Sequence, residues 1–134
     1  MAKAHLRRLV VYGVTLAAVS GVGSVLSTVL ALRVAHVVHL VVALGFLMCA
    51  RWISAGDARG AVWTRRLSVA LLLELILGTT AVWLLLGGTL FASGAGMGLA
   101  QINAGMTLLL VTGYAVSVGL YPALFLREHR RSSP

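Results

Sequence analysis

Four long apolar runs limit what this chain can become. They lie at about 9–31, 34–54, 67–89 and 98–126. A helix of roughly twenty apolar residues spans a bilayer core of ~30 Å. In lipid the backbone must satisfy its own hydrogen bonds, and a helix does this within one segment. The runs leave little of the 134 residues for anything else, and 60% of the chain is hydrophobic against 10% charged. That composition excludes an ordinary water-soluble domain. The expected fold is all-α: one integral membrane four-helix bundle over residues 1–134, multi-pass in the cell membrane with lipid as its first partner.

The linkers set the expected orientation. Only Arg33 separates runs one and two, which implies a tight helical hairpin. Runs two and three are joined by RWISAGDARGAVWTRR, and runs three and four by the uncharged GGTLFASGAGMG. Lys3, Arg7 and Arg8 precede the first run, and Arg127, Arg130 and Arg131 follow the last. In this topology all basic residues except Arg33 fall on one side. The positive-inside rule makes that side cytoplasmic, with both termini inside. A net charge of +8 distributed at helix ends does not form a nucleic-acid surface. The start MAKAHLRR has the look of a signal peptide, but the apolar run after it is too long and lacks an A-x-A-like site. One cysteine, Cys49, allows no internal disulfide and reads as a small buried hydrophobe.

Ionisable groups at membrane depth are costly and commonly functional. Here they are His36, His39 and Glu74, with Arg33 at the outer margin. His5 and His129 fall among the cytoplasmic basic residues. The topology puts His36 and His39 in the first turns of the second helix. Gln101 and Asn103 open the fourth helix at a similar level, bracketed by Met97 and Met106, with Trp83 nearby. Glu74 lies closer to the cytoplasmic half. His36 and His39 are three apart, so they neighbour each other on one helical face. Against a functional role stands a plain one, in which each imidazole snorkels or hydrogen-bonds a neighbour's backbone, and Glu74 pairs with a polar partner or is protonated, since burial favours the neutral form. Zinc is a poor fit, because no cysteine or carboxylate joins the histidines and zinc takes three or four protein ligands. Small residues also recur at helical spacing, Gly13, Ala17 and Gly21 in the first run and Gly113 and Ser117 in the fourth. Such faces let membrane helices approach closely.

Two segments carry a family resemblance. HVVHLVVALGF resembles the second-helix segment of the haem A synthase family, with His39 at the ligand position. LELILGTTAVW resembles its third-helix segment, with Glu74 where glutamine is common. Family members have eight helices in two similar halves, and this chain corresponds to one half, as in compact four-helix archaeal versions. Spans one and three each carry glycine and lead into a helix that opens with polar groups, which fits a paired-hairpin plan. The chain lacks the loop cysteines of many members and departs from the family at three further places. His36 stands at an acidic position, Leu40 replaces an arginine, and Gln101 or Asn103 stands where the fourth helix has a histidine.

The resemblance implies a haem-binding membrane oxidoreductase that oxidises a ring methyl of haem O to give haem A. Haem b would be the resident cofactor, and a quinone or terminal oxidase a possible electron partner. His39 would be the axial metal ligand, with His36 and Glu74 in catalytic positions. His36, Gln101, Asn103, Met106 and Arg33 would line the cofactor. Neighbouring histidines on one face cannot grip both faces of one haem, so a second ligand needs another helix or chain. Half the family's length then suggests a homo-oligomer, most simply a dimer. Two other functions use the same residues: a non-catalytic b-type haem electron carrier, and a colourless accessory or assembly subunit of a respiratory complex. A transporter is least supported, since one embedded glutamate and no broken helix give it little basis.

Overall fold

A computed structural model describes residues 2–27, 30–91 and 98–131. The expectations for Lys3, Met97, His129, Arg130 and Arg131 concern side chains outside that description. The described residues form four α-helices: α1 (Ala2–Leu26), α2 (Leu30–Ser54), α3 (Arg59–Phe91) and α4 (Leu99–Arg131). All four are long and apolar enough to cross a membrane. The chain divides into two compact units, residues 1–69 and 70–134, with the boundary inside α3.

The helix ends differ from the apolar runs for local reasons. α1 stops at Leu26, earlier than its apolar run suggests, and α2 already begins at Leu30. Arg33 accounts for part of this. Its Nε and Nη2 donate to the Ser27 carbonyl at 3.1 and 2.8 Å. A guanidinium on the last carbonyls of a helix satisfies acceptors that have no helical donor and complements the helix dipole.

α3 starts eight residues before its apolar run, because the segment joining α2 to α3 is two caps in succession. Gly56 has φ +75°, the left-handed conformation glycine takes without a Cβ penalty. The Gly56 N–H donates to Ile53 O at 3.1 Å and the Asp57 N–H to Trp52 O at 2.9 Å, which is a Schellman ending. Asp57 then opens α3. Its Oδ1 accepts from the Arg59 N–H at 2.9 Å and its carbonyl from the Gly60 N–H at 3.1 Å. Its carboxylate also meets the Arg59 guanidinium at 2.7 Å. The side-chain bond from Arg59, followed by its backbone bond, holds the Asp57 carboxyl below the ordinary value of 3.8. A lowered carboxyl contributes its stability above that ordinary value and loses it as pH falls through the lower folded value. Acidification below pH 3.8 should therefore release this corner, read as lower amide protection factors at Arg59 and Gly60, while Asp57→Ala, which removes the capping oxygen, should show the low protection already at neutral pH.

In the first unit α1 and α2 form an antiparallel hairpin. On α1 the buried stripe is Leu9, Gly13, Leu16 and Ser20. On α2 it is His39, Ala43, Phe46 and Ala50. Both stripes alternate steps of three and four, the spacing that keeps one helical face on its partner. Gly13 lies against Leu47, whose Cδ2 would be 2.9 Å from an added Cβ. Tyr12 meets Phe46 edge-on, with ring centroids 5.4 Å apart. The start of α3 packs here too. Gly60 lies against Ile53 and the Cys49 carbonyl, and Gly45 against Leu67. Cys49 is buried, as its apolar setting implies.

The second unit pairs the rest of α3 with α4. Gly119 takes Leu72 and Leu75 at 3.3 and 3.5 Å from its Cβ position. Trp83 Nε1 donates to Thr112 Oγ1 at 3.0 Å. α4 is capped by its own third residue: Gly98 N–H donates to Gln101 Oε1 at 2.7 Å, the returning half of a capping box. Pro122 lies buried within α4.

Candidate functional site

His36 and His39 extend the buried stripe of α2 toward its start. His39 is 3% exposed, and His36 is half-buried. The His36 imidazole lies directly on Gly23 of α1. A Cβ built on Gly23 would fall 2.6 Å from Cε1, 2.7 Å from Nε2 and 2.8 Å from Nδ1. Only a residue without a side chain leaves room for the ring there. The register that pairs Gly23 with His36 and Gly13 with Leu47 also sets Ser20 level with His39. Ser20 Oγ is buried and has no hydrogen-bond partner among the described residues. Ser24 satisfies its hydroxyl on the Gly21 carbonyl at 2.8 Å. A thin polar layer of Ser20, His36 and His39 thus crosses an otherwise apolar hairpin.

The packing of His36 on Gly23 can be tested by filling the notch. Gly23→Ala should push the ring out of its rotamer, at a cost of about 1 kcal/mol, and move the His36 ring resonances in NMR of the detergent-solubilised protein. Unmoved resonances with wild-type stability would show that the ring does not occupy the notch.

The other residues considered from sequence do different things. Arg33 is exposed and caps α1. Glu74 is half-buried on α3, in the second unit. Gln101, also in that unit, has its amide oxygen on the Gly98 N–H. Asn103 and Met106 are exposed, and the Asn103 carbonyl accepts from Thr107 Oγ1 at 2.8 Å. The histidines belong to the first unit, and Glu74, Gln101, Asn103 and Met106 to the second. Trp83 was placed by sequence in the same layer, and its indole is engaged by Thr112.

A haem on His39 needs a slot as wide as its ring beside the imidazole. At that level α1 and α2 are in contact, with one imidazole filling a glycine notch and the other almost wholly enclosed. The second unit has a groove of about 310 Å³ between α3 and α4, lined by Leu72, Leu75, Ile76, Thr79, Thr112 and Ala115 among others. None of these side chains ligates iron in the usual haem manner. Among the described residues no three His, Cys, Asp or Glu side chains cluster closely enough to hold a metal ion.

Sequence reasoning missed the Gly23–His36 contact. Its only local trace is the spacing of His36 and His39 with Ala43, Phe46 and Ala50, which already reads as a helix seam. No protein-family model matches this chain, and no curated protein or solved structure is significantly similar to it.

Proposed function

We propose that this chain is a colourless, non-catalytic accessory subunit of the cell membrane, in which His36 and His39 hold the first hairpin together. One observation carries the reading: the imidazole of His36 is spent on the Gly23 notch, while His39 is 3% exposed. Groups consumed by intramolecular packing are poorly placed to bind a large planar cofactor or a substrate. The uneven distribution of basic residues supports an orientation with both termini in the cytoplasm.

A subunit of this kind acts through other membrane helices. Gly13 is already used against Leu47, but Gly78 and Gly113 have no described atom within 4 Å of a Cβ position. Gly113 and Ser117 are exposed. Small residues open to lipid favour close helix approach, and a second copy of the chain is the simplest partner. Mass measurement in nanodiscs should give a dimer, and Gly113→Leu should shift it to the monomer. A wild-type monomer, or a dimer indifferent to that substitution, would count against this assembly.

The second reading is the haem A synthase-like oxidoreductase, with haem O as substrate or haem b as resident cofactor. In its favour, His39 at the matching ligand position is sheltered from solvent, and a buried hydroxyl without a hydrogen-bond partner, that of Ser20, lies at its level. It requires α1 and α2 to separate around the histidines, and it derives no role for Gln101 beyond its cap.

A further inference from the structure

We infer that the arginine- and tryptophan-rich end of the first unit is a binding site for the headgroup of an anionic phospholipid. The inference takes the four helices to be membrane-spanning and needs no particular reading of the histidines.

Six described arginines gather at this end: Arg7 and Arg8 at the start of α1, Arg51 at the end of α2, and Arg59, Arg65 and Arg66 at the start of α3. All six are exposed. The hairpin register sets Arg8 level with Arg51, and the double cap at Gly56 and Asp57 folds α3 straight back beside them. One carboxylate, Asp57, accompanies the arginines in this part of the chain, and it is committed to Arg59 at 2.7 Å. The first unit therefore carries a strong local excess of positive charge at this end.

Two indoles organise the charge. The Arg59 guanidinium lies over the Trp52 ring at 5.6 Å, and the Arg66 guanidinium over the Trp63 ring at 5.2 Å. Arg59, Trp63 and Arg66 recur at steps of four and three, so they share one face of α3. The face beside them carries Gly60, Thr64 and Ser68, all buried in the unit. The cation-and-ring face is thus the outward one. Arg66 also immediately precedes the apolar run that begins at Leu67. Its guanidinium is held where helix meets headgroup layer, the depth at which tryptophan is enriched in membrane proteins.

This arrangement suits a phosphate carried on a lipid better than one free in water. Guanidinium groups take phosphate oxygens through paired hydrogen bonds. The indole beside each guanidinium supplies an apolar wall for the glycerol and upper acyl chain. With Arg59 partly neutralised by Asp57, Arg66 on this face and the exposed neighbouring Arg51 and Arg65 are the arginines left for the anion.

The test is native mass spectrometry of the full chain in mild detergent, titrated separately with phosphatidylglycerol and phosphatidylcholine. The wild type should retain phosphatidylglycerol in preference. Arg65→Gln/Arg66→Gln should weaken phosphatidylglycerol retention by roughly 25-fold, at about fivefold for each arginine near an anionic headgroup, and leave phosphatidylcholine unchanged. Arg127→Gln, an exposed arginine in the other unit, should change neither. Equal retention of the two lipids by the wild type would overturn the inference. So would an equal loss in Arg127→Gln, which would reduce the effect to net charge. Displacement of phosphatidylglycerol by inorganic phosphate at matched concentration would show a site for the free anion instead.

Discussion

Phe46→Ala should be the most damaging single substitution in the first hairpin, costing about 3 kcal/mol. Phe46 is 0% exposed, its edge meets Tyr12, and it stands mid-stripe between Ala43 and Ala50. In a soluble core the same truncation costs ~3–5 kcal/mol, part transfer and part cavity. Lipid tails are themselves apolar, so in a bilayer the transfer share shrinks and lost packing dominates. The expected cost therefore falls at the low end of that range. Reversible unfolding in mixed micelles measures it. Val41→Ala is the natural control, because Val41 is 63% exposed and faces away from the seam. If both variants unfold alike, the α1–α2 seam is not where this unit keeps its stability.

Gly60→Ala should open the corner between α2 and α3, at roughly 1–3 kcal/mol for overpacking. A Cβ at Gly60 would lie 2.6 Å from Ile53 Cγ1, 2.8 Å from Ile53 N and 2.9 Å from the Cys49 carbonyl. Two of these three atoms are backbone, so no rotamer change relieves the clash and the helices must part. The disturbance should reach Thr64, whose hydroxyl donates to the Gly60 carbonyl at 2.7 Å. Gly78→Ala supplies the contrast. Gly78 is helical with open space around its Cβ position, so the substitution gains helix propensity, by roughly 0.5–1 kcal/mol. The two glycine variants should thus move stability in opposite directions in one unfolding assay. A Gly60→Ala variant as stable as the wild type, or more so, would mean that the corner is looser than its distances imply.

Much of the fold is legible in the sequence because helices long and apolar enough to cross a membrane announce themselves by length and apolarity, and all four runs lie in helices. The ends were less legible. The charge-bearing segment at the start of α3 is helical because Asp57 caps it, a signal carried by SAGD that hydropathy alone does not register. Gln101 is similar: G-x-x-Gln ahead of an apolar run is a helix start, yet its polar side chain at membrane depth drew attention as a cofactor contact. The histidine pair is the deeper case. Its spacing with Ala43 and Phe46 marks one helix face, but which residue lies opposite depends on hairpin register, a property of two helices and not of either segment alone. Gly23 carries no mark in the sequence that ties it to His36.

Whether the histidines are seam residues or haem ligands is decided by the visible absorption spectrum of the purified chain. The protein should be produced in cells supplied with haem precursor and extracted in mild detergent, and its haem content should be measured in parallel. As seam residues they give no Soret band in the wild type, and a helical, membrane-inserted protein in both His36→Ala and His39→Ala. A stoichiometric Soret band in the wild type that disappears in His39→Ala, with insertion preserved, would contradict the seam role and establish His39 as an iron ligand.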